Sequence, residues 1–243
     1  MELLQTRNDP SHSPSISAQR GVVERHWSEQ SRPLPVQPIF TPRATAVGTP
    51  ARVFNFTARI QTVCEDVIRR CPELSHIQSS SVLYTVTPAR NRSVYGLQAR
   101  VTPMRFRDGA LTRRYRGTIY QVQRYYVNGV EILYLVTFCL PRFLDQSFEE
   151  KLITIFHELY HISPHFNGDL RRHGGRYDVH SKSKKAYDVE MGKLVRHYLL
   201  NHPNPAMLDF LKYNSVELRR VFTTLRGVMV PRPKMFPIGF VMR

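Results

Sequence analysis

Ser147-Phe148-Glu149-Glu150-Lys151-Leu152-Ile153-Thr154-Ile155-Phe156-His157-Glu158-Leu159-Tyr160-His161-Ile162-Ser163-Pro164 is the stretch whose reading decides this chain. Ser147 followed by Glu150 matches a capping box, in which two side chains satisfy the first unpaired backbone N–H groups of a helix. A residue before proline avoids the α region, so Ser163-Pro164 closes the segment. The pattern predicts a helix from Phe148 to Ile162. At 100° per residue, Glu150, Thr154, His157, Glu158 and His161 share one polar stripe. The remaining positions are mostly apolar, so the helix is buried on most sides.

His157 and His161 are four apart, which puts both imidazoles on one helix face about one turn apart. That spacing lets two nitrogens reach one metal ion. Glu158 stands beside the first histidine and points beside the metal rather than at it. There it can hold and deprotonate a water, as the pattern of a zinc-dependent peptidase requires. Unpaired polar groups next to an apolar core are costly, and a metal would satisfy all three.

Working outward, Thr57–Cys71 has apolar residues at three-four spacing and predicts an amphipathic helix that Pro72 stops. Ser81–Thr87 reads as a short strand, and Tyr95–Phe106 alternates in part. Thr118–Val127 and Val130–Leu140 flank Asn128-Gly129, a dipeptide suited to a type I′ hairpin turn. The arm from Ile132 to Leu140 is continuously apolar and should be buried on both faces. A glycine-bearing loop spans 163 to about 180. Two further helices are expected, at about 183–201 and about 205–226, followed by an extended tail from Pro231. The expected fold class is α+β, with a small mixed sheet packed on the motif helix.

The chain has 243 residues, 42% of them hydrophobic, enough for one domain with a sizeable core. Residues 1–50 are rich in Ser, Pro, Arg and Gln and keep no apolar period, so the expected division is a loosely attached tail (1–50) and one domain (51–243). No stretch approaches a membrane span, and the start lacks the pattern of a secretory signal, so no membrane partner and a cytoplasmic location are expected. Cys64 and Cys71, seven apart on one predicted helix, are too distant for a disulfide. Cys139 reads as a buried thiol, and no Cys-x-x-Cys pair supports a zinc ribbon. The net charge of +16 attracts polyanions, which makes non-specific nucleic acid a second expected partner.

His157-Glu158-Leu159-Tyr160-His161-Ile162, after an apolar strand and before Gly168-Asp169-Leu170-Arg171, resembles the phage-type metallopeptidase domain. It is also similar to the SprT-like zincins. The resemblance covers roughly residues 55 to 200. It implies a minimal zincin-like fold, one zinc ion and a protein or peptide substrate. The chain departs from the metzincin pattern, with Pro164 and Asn167 where that pattern has glycine and histidine.

A catalytic zinc needs three protein ligands. After His157 and His161, the candidates are His165, Asp169, His173, His180 and Glu190. Pro164 keeps His165 off the helix, while Asp169 and His173 lie in a loop that can fold back. His180 is assigned, with His173 as runner-up. His180 directly precedes a predicted helix and stands seven residues before Tyr187, which resembles the SprT-like histidine followed by an aromatic. Ser181 replaces the glycine of that pattern. Tyr187, Tyr177, Arg176 and His173 are candidates to stabilise an oxyanion. The expected activity is peptide-bond hydrolysis with zinc held by His157, His161 and His180 and Glu158 as general base. The rival reading is a nucleic-acid-associated protein that keeps the scaffold without turnover, and a third is an amidase acting on non-peptide substrates.

Overall fold

The computed structural model describes residues 52–91, 93, 96–172 and 184–240, with the backbone of 24–26 and 37–40; the side chains of 184–186 are outside it. The expectation of a loose tail over 1–50 therefore falls almost wholly outside the described residues. Two short strands from that part are described, β1 (Glu24–His26) and β2 (Gln37–Phe40).

β3 (Val53–Asn55) leads directly into α1 (Phe56–Arg70), where the Asn55 side chain accepts the Ala58 N–H as N-cap. Ile60, Val63, Cys64 and Val67 of the three-four stripe read in the sequence are wholly buried, and Phe56, just ahead of that reading, is buried with them. The helix ends before Pro72, as expected, and Pro72 opens a single 3₁₀ turn. Then come β4 (Val82–Pro88), β5 (Ala99–Pro103), β6 (Thr112–Tyr115), β7 (Thr118–Val122), β8 (Arg124–Val127), β9 (Val130–Ile132) and β10 (Tyr134–Leu140). α2 (Phe148–Tyr160) carries the motif. After it come α3 (Lys184–Leu200), α4 (Pro205–Leu208), α5 (Ser215–Val221), β11 (Thr224–Gly227) and β12 (Met235–Phe240). The fold is α+β.

The sheet that matters for the site has the order β4-β10-β5 and is mixed. β10 runs parallel to β4 and antiparallel to β5. Every residue of β10 is buried, as its unbroken apolar run implies. α1 and α2 pack on one side of this sheet, around Phe56, Phe138 and Phe143, whose rings meet edge to face. Truncating Phe138 to alanine in such packing costs about 3–5 kcal/mol.

The hairpin turn is where the sequence put it. Asn128 and Gly129 both have positive φ, 50° and 76°, as a type I′ turn needs. Its two arms are shorter than expected because each breaks at one residue. The Gln123 N–H goes to Lys234 O, and the Leu133 N–H goes to Ser81 O. At those points the chain leaves the β8–β9 pair for other sheets. β7 joins β6 and β12, and β10 joins β4 and β5.

The single helix expected over 205–226 is also corrected. Leu211 and Tyr213 give their carbonyls to the buried Lys151 ammonium, at 2.9 and 2.8 Å, which turns this backbone out of a helix. Asn214 and Glu217 then form a capping box that starts α5 anew. Thr224–Gly227 pairs in parallel with β3. No helix among the described residues is long and apolar enough to cross a membrane.

Candidate metal centre

α2 begins with the capping box read in the sequence, in which Ser147 and Glu150 satisfy each other's backbone N–H groups. It ends at Tyr160, with His161 as its C-cap. Arg171 fixes that last turn. Its backbone N–H donates to His161 O and its Nε to Tyr160 O, both at 2.7 Å. Its guanidinium carbon lies 3.9 Å from the Tyr160 ring centre. A cation at a helix C-terminus also opposes the helix dipole. The loop after the helix is held by Tyr134 of β10. Its hydroxyl donates to Asp169 O and accepts the Gly168 N–H. Gly168 sits at φ +85°, and a Cβ there would lie 2.3 Å from the Arg105 side chain. Only glycine suits this place.

The rings of His157 and His161 are 4.6 Å apart between centroids and nearly perpendicular. Tyr187, in the first part of α3, stacks on His161 with an interplanar angle of 13° and meets His157 edge-on. Asp188, the next residue, brings a carboxylate oxygen to 3.4 Å from His157 Nδ1. A carboxylate at Nδ1 orients the ring and turns Nε2 the other way, the usual arrangement behind a histidine that ligates a metal.

Glu158 is buried, only 8% exposed. Burial pushes its carboxyl up to about 7, against the smaller opposing pull of a hydrogen bond from the Val101 backbone N–H on β5. The motif carboxylate therefore faces the edge strand of the sheet.

The structure thus brings together His157, His161, Glu158 and Tyr187. His180, His173, Tyr177 and Arg176 lie outside the described residues. Of the three other candidates, Glu190 and Asp169 are engaged elsewhere. His165 is exposed. Glu190 points outward and pairs with Lys193 at 2.8 Å. Asp169 accepts the Asp108 and Leu170 backbone N–H groups and the Arg172 guanidinium. Among the described residues no group of three His, Cys, Asp or Glu side chains gathers tightly enough to hold a metal. Two imidazoles one turn apart and backed by a carboxylate are nonetheless a donor set that fits a divalent transition metal. Sequence reading missed Asp188 and Val101. Asp188 follows Tyr187 in an ordinary helix, and Val101 acts through its backbone, so neither leaves a signal in residue type.

Residues 55–199, more than half of the chain, match the family described as "Putative phage metallopeptidase". The chain belongs to this family. Membership makes it a member of a metallopeptidase group, which implies a metal cofactor and substrates that are proteins or peptides. No curated protein and no solved structure matches the chain.

Proposed function

We propose that the protein is a zinc-dependent peptidase in which His157, His161 and His180 hold the metal and Glu158 is the general base, within one catalytic domain spanning about 51–243. The observation that carries this reading is the burial of Glu158 beside the two imidazoles, with its carboxyl pushed up to about 7. Zinc held there supplies Lewis acidity to a water and to the substrate carbonyl. Glu158 accepts the proton of the attacking water and delivers it to the amine nitrogen as the C–N bond breaks. Asp188 fixes the rotation of His157, and Arg171 fixes the turn that carries His161.

β5 supplies a place for the substrate. Cys139 N–H donates to Gln98 O and Met104 N–H to Leu133 O, so the even-numbered residues of β5 pair with β10. The two-residue period turns the carbonyls of Ala99, Val101 and Pro103, and the N–H groups of Ala99 and Val101, to the outer edge, where Glu158 takes the Val101 N–H and leaves the Ala99 N–H and the carbonyls to a substrate. No strand lies along that edge among the described residues. An extended peptide pairing there passes Glu158 at Val101, which favours unfolded segments as substrates.

The test uses the full chain and an unfolded protein substrate. Glu158→Gln should retain the metal and lose turnover by about 100-fold or more. Loss of the metal in this variant would make Glu158 a ligand and overturn its role. For the third ligand, His180→Ala should lose zinc affinity and His173→Ala should keep it; the reverse result assigns the place to His173.

A further inference from the structure

The β6–β7 hairpin and β12 form a three-stranded antiparallel arm, in the order β12-β7-β6. All four residues of β6 are exposed, and most of β12 is exposed as well. Its turn is Arg116-Gly117, with φ of 49° and 80°. The arm is built without acids. No Asp or Glu occurs between Asp108 and Glu131, or anywhere after Glu217. Arg113, Arg114, Arg116 and Lys234 are exposed on it. Large apolar side chains are exposed beside them: Phe240 is 78% and Tyr115 51% exposed.

The register divides these groups between two faces, with Arg114, opposite Ile119, on one and the aromatic rings on the other. Tyr115 and Phe240 both lie opposite Thr118, and Arg113 lies opposite Tyr120. Residues directly opposite in an antiparallel pair share a face, so Tyr115, Phe240, Tyr120 and Arg113 do too. The Arg116 guanidinium lies 5.2 Å from the Tyr115 ring centre. Rings left open between guanidinium groups are what an unpaired nucleic-acid strand requires: a π-face for each base and a cation for each phosphate. A duplex hides its base faces. A loop that enters a bilayer carries apolar groups at its tip, whereas this tip is Arg116. Two copies of an acid-free arm repel each other.

We propose that the β6–β7–β12 arm is a binding surface for single-stranded nucleic acid. The arm is rooted next to the metal centre. The Asp108 N–H donates to Asp169 in the loop after α2, and the Arg105 N–H donates to Gly168 O. Binding at the arm does not depend on the hydrolytic reading of that centre, because it uses neither the histidine pair nor Glu158.

The experiment measures fluorescence anisotropy of labelled DNA and RNA oligonucleotides of about 16 nucleotides with the full chain, across a salt series. Binding of either strand type at low salt is expected. Replacing Arg113 and Arg116 together by alanine should weaken it at least about tenfold and lower the salt slope by about two. Replacing Tyr115 and Phe240 by alanine should weaken it about tenfold while changing the slope little. Lys193→Ala/Arg196→Ala, on exposed α3 positions away from the arm, should bind like the parent. Ultraviolet cross-linking should map to Tyr115, Tyr120 or Phe240, which keeps the test decisive if a variant folds poorly. No binding at low salt, or parental binding by the arginine variant, overturns the proposal. So does parental binding by the aromatic variant, or tighter binding to duplex DNA or to anionic phosphatidylserine vesicles than to the single strand.

Discussion

Asp66 on α1 and Glu158 on α2 are both carboxylates with less than a tenth of their surface exposed, 6% and 8%, and the protein treats them in opposite ways. Burial alone would raise the Asp66 carboxyl. Hydrogen bonds from Arg70, Tyr198 and Arg69 outweigh burial and hold it below the usual carboxylate range. Glu158 receives one backbone N–H, from Val101, and burial wins. The difference teaches how the number of hydrogen-bond donors decides whether a buried carboxylate is held ionised or inclined to take a proton. Asp66 has spent its lone pairs on joining α1 to α3 through Tyr198. Glu158 keeps capacity for a proton and for a water beside two imidazoles.

Breaking the Asp66 cluster should have the larger effect on stability. Asp66→Ala leaves Arg70 and the Tyr198 hydroxyl without their partner and should cost about 3 kcal/mol in urea unfolding. Glu158→Gln should leave stability unchanged or slightly raised, because it removes a poorly partnered buried acid. Equal losses in the two variants would erase the distinction.

Asp188 sharpens the comparison, since it is a carboxylate that serves an imidazole. Asp188→Asn should weaken zinc binding about 10–100-fold in a chelator competition. The melting temperature of the metal-free protein should hardly move, because Asp188 is partly exposed. An unchanged zinc affinity would remove Asp188 from the site.

The smallest effect is in acid. The folded state holds the Asp66 carboxyl below its ordinary value of 3.8, so the unfolded chain binds the proton more readily there. This contribution is complete above about pH 4 and is lost as pH falls through the lowered folded value. The stability gap between the parent and Asp66→Asn should therefore narrow below pH 4. A gap that stays constant would show that Asp66 is not held ionised.

Much of the site's frame was legible because it depends on local spacing. The capping box at Ser147, the four-residue step from His157 to His161 and the apolar run of β10 follow from neighbours along the chain. The same holds for the positive-φ turn at Asn128-Gly129. What was not legible depends on distant partners. Lys151 looks like an ordinary surface lysine until Leu211 and Tyr213 offer their carbonyls, and that contact ends the expected helix over 205–226. Leu133 looks like mid-strand until Ser81 takes its N–H and the hairpin arm divides. Arg116-Gly117 makes a second hairpin turn, which the sequence analysis did not anticipate. Asp188 reaches His157 only because α3 packs on α2. The hydrolytic role proposed for Glu158 rests on such a contact as well, since the motif names the residue but the depth of burial raises its proton affinity.

The most direct test of the metal-dependent peptidase is removal and return of the metal while hydrolysis of an unfolded protein is followed. The account predicts that the full chain loses turnover after chelation and dialysis and regains it with about one zinc per chain. Glu158→Gln, loaded to the same zinc content, should stay inactive throughout. Turnover that survives metal removal, or a zinc-loaded Glu158→Gln as active as the parent, would contradict it.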